Sequence, residues 1–237
     1  MMGRRRLPRG RALRLASILL LALAGAPAAQ SLRPVDVELV LAIDCSYSVD
    51  AREFDLQKTG LAEAFRHPGV LAAIQAGTHK AIGVTVVQWS GQGIQSVAVP
   101  WITVEDAPSA ARLAARIAGT ERMAQEGATS ISSMIKFGII LLKTNPLQGA
   151  RRVIDISSDG RNNTGYSIAA AQALALIQGV TINGLVILNE DSTLNYYFDR
   201  HVIAGPDAFI VLAADYDDYA VAILRKLIRE IGKPAMS

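Results

Sequence analysis

The stretch Val37-Glu38-Leu39-Val40-Leu41-Ala42-Ile43-Asp44-Cys45-Ser46-Tyr47-Ser48 decides the fold. Its first seven residues are apolar except for Glu38, the composition of a parallel strand buried on both faces. The run ends on an acid, and hydroxyls follow at alternate positions. In extended backbone, side chains at i, i+2 and i+4 lie on one side. Asp44, Ser46 and Ser48 therefore converge, while Cys45 and Tyr47 point away. Three convergent oxygens at a strand end suit a hard divalent cation. They also suit a polar turn that caps the next helix, and the pentapeptide alone leaves both readings open.

Working outward, Asp50 followed by Glu53 reads as a capping box opening a helix that carries Phe54, Leu61 and Phe65 on one face and stops at His67-Pro68-Gly69. A short helical piece, 70–75, follows. Residues 81–89 are β-branched and read as a strand. Gly91-Gln92-Gly93 turns the chain so that 94–101 pairs back, antiparallel and at an edge where Pro100 is tolerated. Helices are predicted over about 107–118, 130–143 and 166–177, with at least one turn inside 189–201. Strands are predicted over 152–157, 180–188 and 208–213. Tyr219, Ile223, Leu227 and Ile231 mark the clearest amphipathic helix. Strands alternating with helices predict a doubly wound, mostly parallel six-stranded α/β sheet with one antiparallel edge strand and helices on both faces. In such sheets ligands bind beyond the carboxyl ends of strands, at the switch point of the strand order. Asp44 and Asp159 each follow a predicted strand at that edge.

Two later stretches extend the first. Gly127-Ala128-Thr129-Ser130 precedes a helix, and Arg152-Val153-Ile154-Asp155-Ile156 leads into Ser157-Ser158-Asp159-Gly160. A D-x-S-x-S run, then a Thr after a glycine turn, then an Asp-Gly after a strand, resembles the metal-ion-dependent adhesion site of von Willebrand factor A domains. The resemblance covers the chain from about Pro34 to Ile231. It is strongest to secreted bacterial A-domain-like proteins of uncharacterised function, on Ile154 to Gly160 with Asn162-Asn163 and on Ile182-Asn183-Gly184-Leu185.

The resemblance implies that Ser46, Ser48 and Thr129 ligate a divalent cation directly and that Asp44 and Asp159 act through water. Mg²⁺ is the expected ion, with Mn²⁺ or Ca²⁺ as alternatives. A mostly neutral ligand shell leaves the ion much of its charge, so an Asp or Glu of a partner protein is the expected capture. Asn162, Asn163, Glu190 and Asp191 are candidates for the partner-binding rim. Two competing readings stand beside this one. A metal-dependent hydrolase or phosphatase would want a second acid where Ser46 stands, or a cysteine with an arginine six residues on, where Ala51 stands instead. No His or Lys lies near the motifs to act as a general base. A metal-free scaffold is the other alternative. Asp155 reads either as a support beneath the site or as a hydrogen-bonded core acid. His67, His79 and His201 are dispersed, without metal-ligand spacing.

Residues 1–28 read as an export signal: six arginines by position 14, an apolar stretch over 15–23, and Ala26-Pro27-Ala28 before a cut near Ala29 or Gln30. The apolar stretch is short of the roughly 20 residues a spanning helix needs. No stable membrane anchor is expected after cleavage, and the protein is expected in the periplasm or outside the cell. The domain is then 34–231, with a short tail over 232–237. The whole chain has 24 basic and 21 acidic residues, +3 overall. Without the six arginines, 18 basic residues face 21 acidic, about −3, so nucleic acid is not an expected partner. Cys45 is the single cysteine, expected in the core, and no intramolecular disulfide is possible.

Overall fold

The computed structural model describes residues 32–122 and 127–232. The expected export signal and positions 233–237 lie outside these residues. The described residues form one compact unit, built on six strands in the order β3-β2-β1-β4-β5-β6. These are β1 (Arg33–Asp44), β2 (Ile82–Trp89), β3 (Gln95–Val104), β4 (Leu147–Ser158), β5 (Thr181–Ile187) and β6 (Ile210–Ala213). All neighbours run parallel except β2 and β3, as the pattern of strands and helices predicts. Among the described residues no helix is long and apolar enough to cross a membrane.

β1 lies at the centre because it can be buried on both faces. Val37, Leu39, Leu41 and Ile43 enter one core, and Val40 and Ala42 enter the other, the period-2 alternation of a strand. The first core is covered by α1 (Ala51–Arg66), α2 (Pro68–Gln75), α3 (Ala107–Ala118) and α7 (Tyr219–Ile231); the second by α4 (Ile131–Thr144), α5 (Ile168–Ile177) and α6 (Leu194–His201). The capping box opens α1 as expected, with Glu53 N donating to Asp50 Oδ1 and Asp50 N donating to Glu53 Oε2, both at 2.8 Å. Gly60 lets α1 approach α7 closely, since a Cβ there would lie 3.0 Å from Ala220 Cα. On α7, Ile223, Leu227 and Ile231 are buried, each contributing about 1.5–3 kcal/mol.

Several boundaries differ from the predicted ones for physical reasons. β4 starts at Leu147, five residues earlier than its apolar run, because Leu147, Gln148 and Gly149 continue the ladder against Arg33, Pro34 and Val35. Glu38 fixes that extension, accepting from Gly149 N at 2.5 Å and from Asn145 Nδ2 at 2.6 Å. The β2–β3 ladder shifts register around Pro100, which has no N–H to give. Thr85 Oγ1 there donates to Val99 O at 2.8 Å.

Asp155 belongs to the core. It is buried with Lys226 of α7, whose Nζ lies 2.8 Å from Asp155 Oδ2 and 3.3 Å from Glu230 Oε2. Asn183 Nδ2 donates to both Glu230 carboxylate oxygens at 2.9 and 2.8 Å, and Asn183 Oδ1 accepts from Phe209 N at 2.8 Å. Burial pushes Asp155 up to about 6, against the downward pull of Lys226.

Candidate functional site

The strand order reverses at β1, with β2 on one side and β4 on the other. The carboxyl ends of β1 and β4 therefore border the crevice that this topology opens. Asp44, the last residue of β1, is wholly buried. Its Oδ1 accepts from Ser46 N at 2.8 Å, which bends the chain directly after the strand. Its Oδ2 accepts from Ser158 Oγ at 2.5 Å, from the end of β4 alongside. The bend brings Ser46 Oγ and Ser48 Oγ within 3.4 Å of each other, and Ser48 Oγ donates to Asp159 Oδ1 at 2.7 Å. Asp44, Ser46, Ser48 and Asp159 thus form one hydrogen-bonded cluster.

Thr129 reaches it from the segment before α4. It lines one cleft with Ser48 and Asp159, and a Cβ on Gly160 would lie 3.3 Å from Thr129 Oγ1. Asn163 holds Thr129 by its backbone: Thr129 N donates to Asn163 Oδ1 at 2.8 Å and Asn163 N donates to Thr129 O at 2.9 Å. Gly127 has φ +142°, a left-handed conformation that favours glycine. Its carbonyl accepts from Tyr47 N at 3.1 Å, tying this segment to the β1–α1 turn. Arg122 clamps the turn from beneath, its Nη2 donating to the carbonyls of Val49 at 2.6 Å, Cys45 at 3.2 Å and Ser46 at 3.4 Å. Cys45 is fully buried and burial pushes its thiol up to about 12, whereas Tyr47 is 71% exposed at the mouth.

The cluster is short of positive charge. Burial, then repulsion by Asp159, pushes Asp44 up to about 7, although hydrogen bonds from Ser158 and Ser46 oppose the shift. Burial raises Asp159 too, against hydrogen bonding by Ser48, and Glu190 repels it. Neither carboxylate is ion-paired among the described residues, and Asp159 Oδ2 is buried with no hydrogen-bond partner. Two buried carboxylates without a counter-charge cost several kcal/mol. The Ser48 hydroxyl, Thr129 and the Asp159 carboxylate around one cleft, with Asp44 and Ser46 hydrogen-bonded behind them, are a donor set that fits a hard cation. No group of three or more His, Cys, Asp or Glu side chains could hold a metal ion among the described residues, so a cation here needs the hydroxyls.

The four rim candidates separate. Asn163 and Glu190 line the cleft. Asn162 is engaged within the fold, its Oδ1 accepting from Ser132 N at 2.9 Å and its Nδ2 donating to Thr164 O at 3.0 Å. Asp191 pairs with Arg161 at 2.7 Å and accepts from Thr193. Two contributors are absent from the motif pattern. Ser158 sits beside Asp44 in the ladder, and the strand register would have located it. Arg122 arrives from a connection remote in sequence, and no local pattern marks it.

A family model described as "Protein of unknown function (DUF1194)" matches residues 34–235. No curated protein matches the chain. Among solved structures it is similar to proximal thread matrix protein 1 from the mussel byssus "with zinc occupied MIDAS motif", at 16% identity and a TM-score of 0.59 over 85% of this chain and 48% of that one. It is similar to the pilus adhesin SpaC from Lactobacillus rhamnosus GG in an open conformation, at 15% identity and a TM-score of 0.56 over 85% and 30% of the two chains. It is also similar to a von Willebrand factor type A protein from Catenulispora acidiphila, at 16% identity and a TM-score of 0.54 over 84% and 42%. The chain therefore spans less than half the length of these three, and at such identities the likeness shows the fold, that of a von Willebrand factor A domain.

Proposed function

The chain belongs to the DUF1194 family and has the fold of a von Willebrand factor A domain, and from that premise we propose that it is an exported, metal-dependent protein-binding module. Ser46, Ser48 and Thr129 are the direct ligands of a divalent cation, Mg²⁺ by preference. Asp44 and Asp159 hold its waters. The orphaned, buried Oδ2 of Asp159 beside the Ser48 hydroxyl carries this reading, because a buried carboxylate oxygen needs a partner that the described residues do not supply. When bound, the ion supplies an electrophilic position that favours a carboxylate. The chain's own residues then work by placement: Arg122 holds the turn that presents both serine hydroxyls, Asn163 holds Thr129, and Ser158 keeps Asp44 aimed at Ser46 N.

The captured group is an Asp or Glu of a partner protein, drawn in by a charge-assisted contact in a partly desolvated cleft. The cleft is lined by Tyr47, Ser48, Thr129, Asp159, Asn163 and Glu190 with small backbone residues, a lining that offers no imidazole or amine as a general base, and this favours binding over hydrolysis. The export signal over 1–28 and a domain over 34–231 belong to the same reading, as does a periplasmic or extracellular place of action. The test is capture from envelope extract with wild type and Thr129→Ala, with and without chelator. Partner binding that needs divalent ion and is lost in Thr129→Ala is expected. A partner that binds equally well in chelator overturns the reading.

A further inference from the structure

The amino-terminal edge of the sheet, away from the metal cleft, carries a cavity of about 230 Å³. Arg152 on its wall lies roughly 20 Å short of Ser158 along β4, at about 3.3 Å per residue. The cavity exists because β4 runs past the start of β5. Arg151 and Arg152 pair with Val37 and Glu38 of β1, but the ladder to β5 begins only at Val153 and Thr181. Successive strand residues face opposite sides, so the two arginines flank this notch. Arg151 turns to α7, where its Nη2 donates to the carbonyls of Glu230 at 2.8 Å and Ile231 at 3.3 Å. Arg152 turns to the end of α5, where its Nη2 donates to Gln178 O at 2.5 Å. Both guanidiniums are thereby fixed, yet neither has an ion pair among the described residues. Arg151 Nε is buried with no hydrogen-bond partner. Burial pulls Arg151 below the usual arginine value, although Glu230, Asp36 and Asp207 push it up.

The buried acid at this cavity is already engaged: Glu230, 1% exposed, accepts from Asn183 and lies 3.3 Å from Lys226 Nζ. A guanidinium offers N–H donors in a planar fork that matches a carboxylate. Among the described residues Arg151 and Arg152 each spend only Nη2. We propose that this cavity is a second ligand site, for a small organic monocarboxylate whose carboxylate lies against Arg151 and Arg152 and whose short apolar body lies against Val153 and Pro206. The charge of the ligand is limited by the lining, because a dianionic phosphate meets Glu230 and Asp207 there. Its size is limited by the volume, which falls below the roughly 300–1,000 Å³ of sites for drug-sized ligands. The site needs no divalent ion and is independent of the metal-dependent reading above.

The test follows the Arg151 Nε–H signal by heteronuclear NMR, assigned by its loss in Arg151→Lys. Chelator is present throughout, so that no carboxylate is held by a divalent ion. The probes are acetate, butyrate, butyramide and inorganic phosphate. Butyrate shifts the signal saturably in the millimolar range and binds more tightly than acetate, by up to about fourfold for each methylene it buries. Phosphate binds more weakly, and butyramide leaves the signal in place. Arg152→Gln weakens butyrate by roughly tenfold, the loss of a charge-assisted bond. Ala150→Glu weakens it as well, because it adds a competing acid at an exposed position of the lining and removes no side-chain bond of the fold. Thermal melts confirm that both variants fold. No saturable shift, an equal response to butyramide, tighter binding of phosphate, or unchanged butyrate affinity in either variant overturns the proposal. Each of those results leaves the metal reading standing, and loss of Mg²⁺ binding in Thr129→Ala leaves butyrate affinity unchanged.

Discussion

Replacing Lys226 by Met removes the cation between Asp155 and Glu230 without changing the side chain's bulk. Lys226 is 0% exposed, its Nζ lies 2.8 Å from Asp155 Oδ2 and 3.3 Å from Glu230 Oε2, and both acids are 1% exposed. Asn183 still donates to Glu230 in the variant, but Asp155 loses its charged partner. Breaking a buried pair on one side costs about 3–5 kcal/mol, a large share of the roughly 5–15 kcal/mol that holds a domain together. The loss carries a pH signature. Burial already pushes Asp155 above its ordinary value, to about 6, while Lys226 pulls it down. A folded acid with a raised pKa binds more protons than the unfolded chain, so stability is present at low pH and falls as pH rises through that window. Without Lys226 the pKa rises further, and the fall from pH 5 to pH 8 becomes steeper than in wild type. Urea denaturation of both proteins at the two pH values measures it. Adding Asp155→Asn to Lys226→Met should recover much of the loss, a coupling that a double-mutant cycle isolates. A cost below about 1 kcal/mol with no added pH dependence would refute the reasoning, since it would mean the cluster is hydrated and not desolvated.

Leu227→Ala deletes a fully buried side chain of α7 and should cost about 2–5 kcal/mol in denaturant unfolding without altering ion affinity. Arg122→Ala frees three carbonyls of the β1–α1 turn; Mg²⁺ affinity should fall by roughly tenfold, the order seen when supporting residues of a metal site are removed, with partial recovery in Arg122→Lys. Saturating Mg²⁺ should raise the thermal midpoint of wild type, because it binds only the folded chain, and should leave Thr129→Ala almost unmoved.

The architecture was legible because β1 alternates between two cores and because punctuation was strong: Asp50 with Glu53 at one helix start, His67-Pro68-Gly69 at that helix's end, Asn145-Pro146 before β4. The converging set Asp44, Ser46 and Ser48 was legible for the same reason, since strand periodicity alone puts alternate side chains on one side. What could not be read was anything depending on register or on distant chain. The start of β4 rests on Glu38 reaching Gly149 N across the ladder. Arg122 reaches the turn from a connection more than seventy residues on. The buried pairing of Asp155 had a half-signal: an acid inside an apolar strand demands a cation, and Lys226 with Glu230 lies on the buried flank of α7. Helical spacing shows that both can face inward, but only the packed structure shows what they face. Among the rim candidates, sequence proximity grouped Asn162 with Asn163 and Glu190 with Asp191. The fold engages one of each pair elsewhere, Asn162 with Ser132 N and Asp191 with Arg161, whereas Asn163 and Glu190 line the cleft.

The central claim is that Ser46, Ser48 and Thr129, backed by Asp44 and Asp159, hold a divalent cation. Calorimetric titration of Mg²⁺, and then Mn²⁺, into chelator-stripped wild type and Ser48→Ala tests it most directly. The account predicts one ion per chain in wild type and an affinity at least about tenfold weaker in Ser48→Ala, with the variant's circular dichroism spectrum unchanged. Equal affinity in the two proteins, or no heat of binding in wild type, would contradict it.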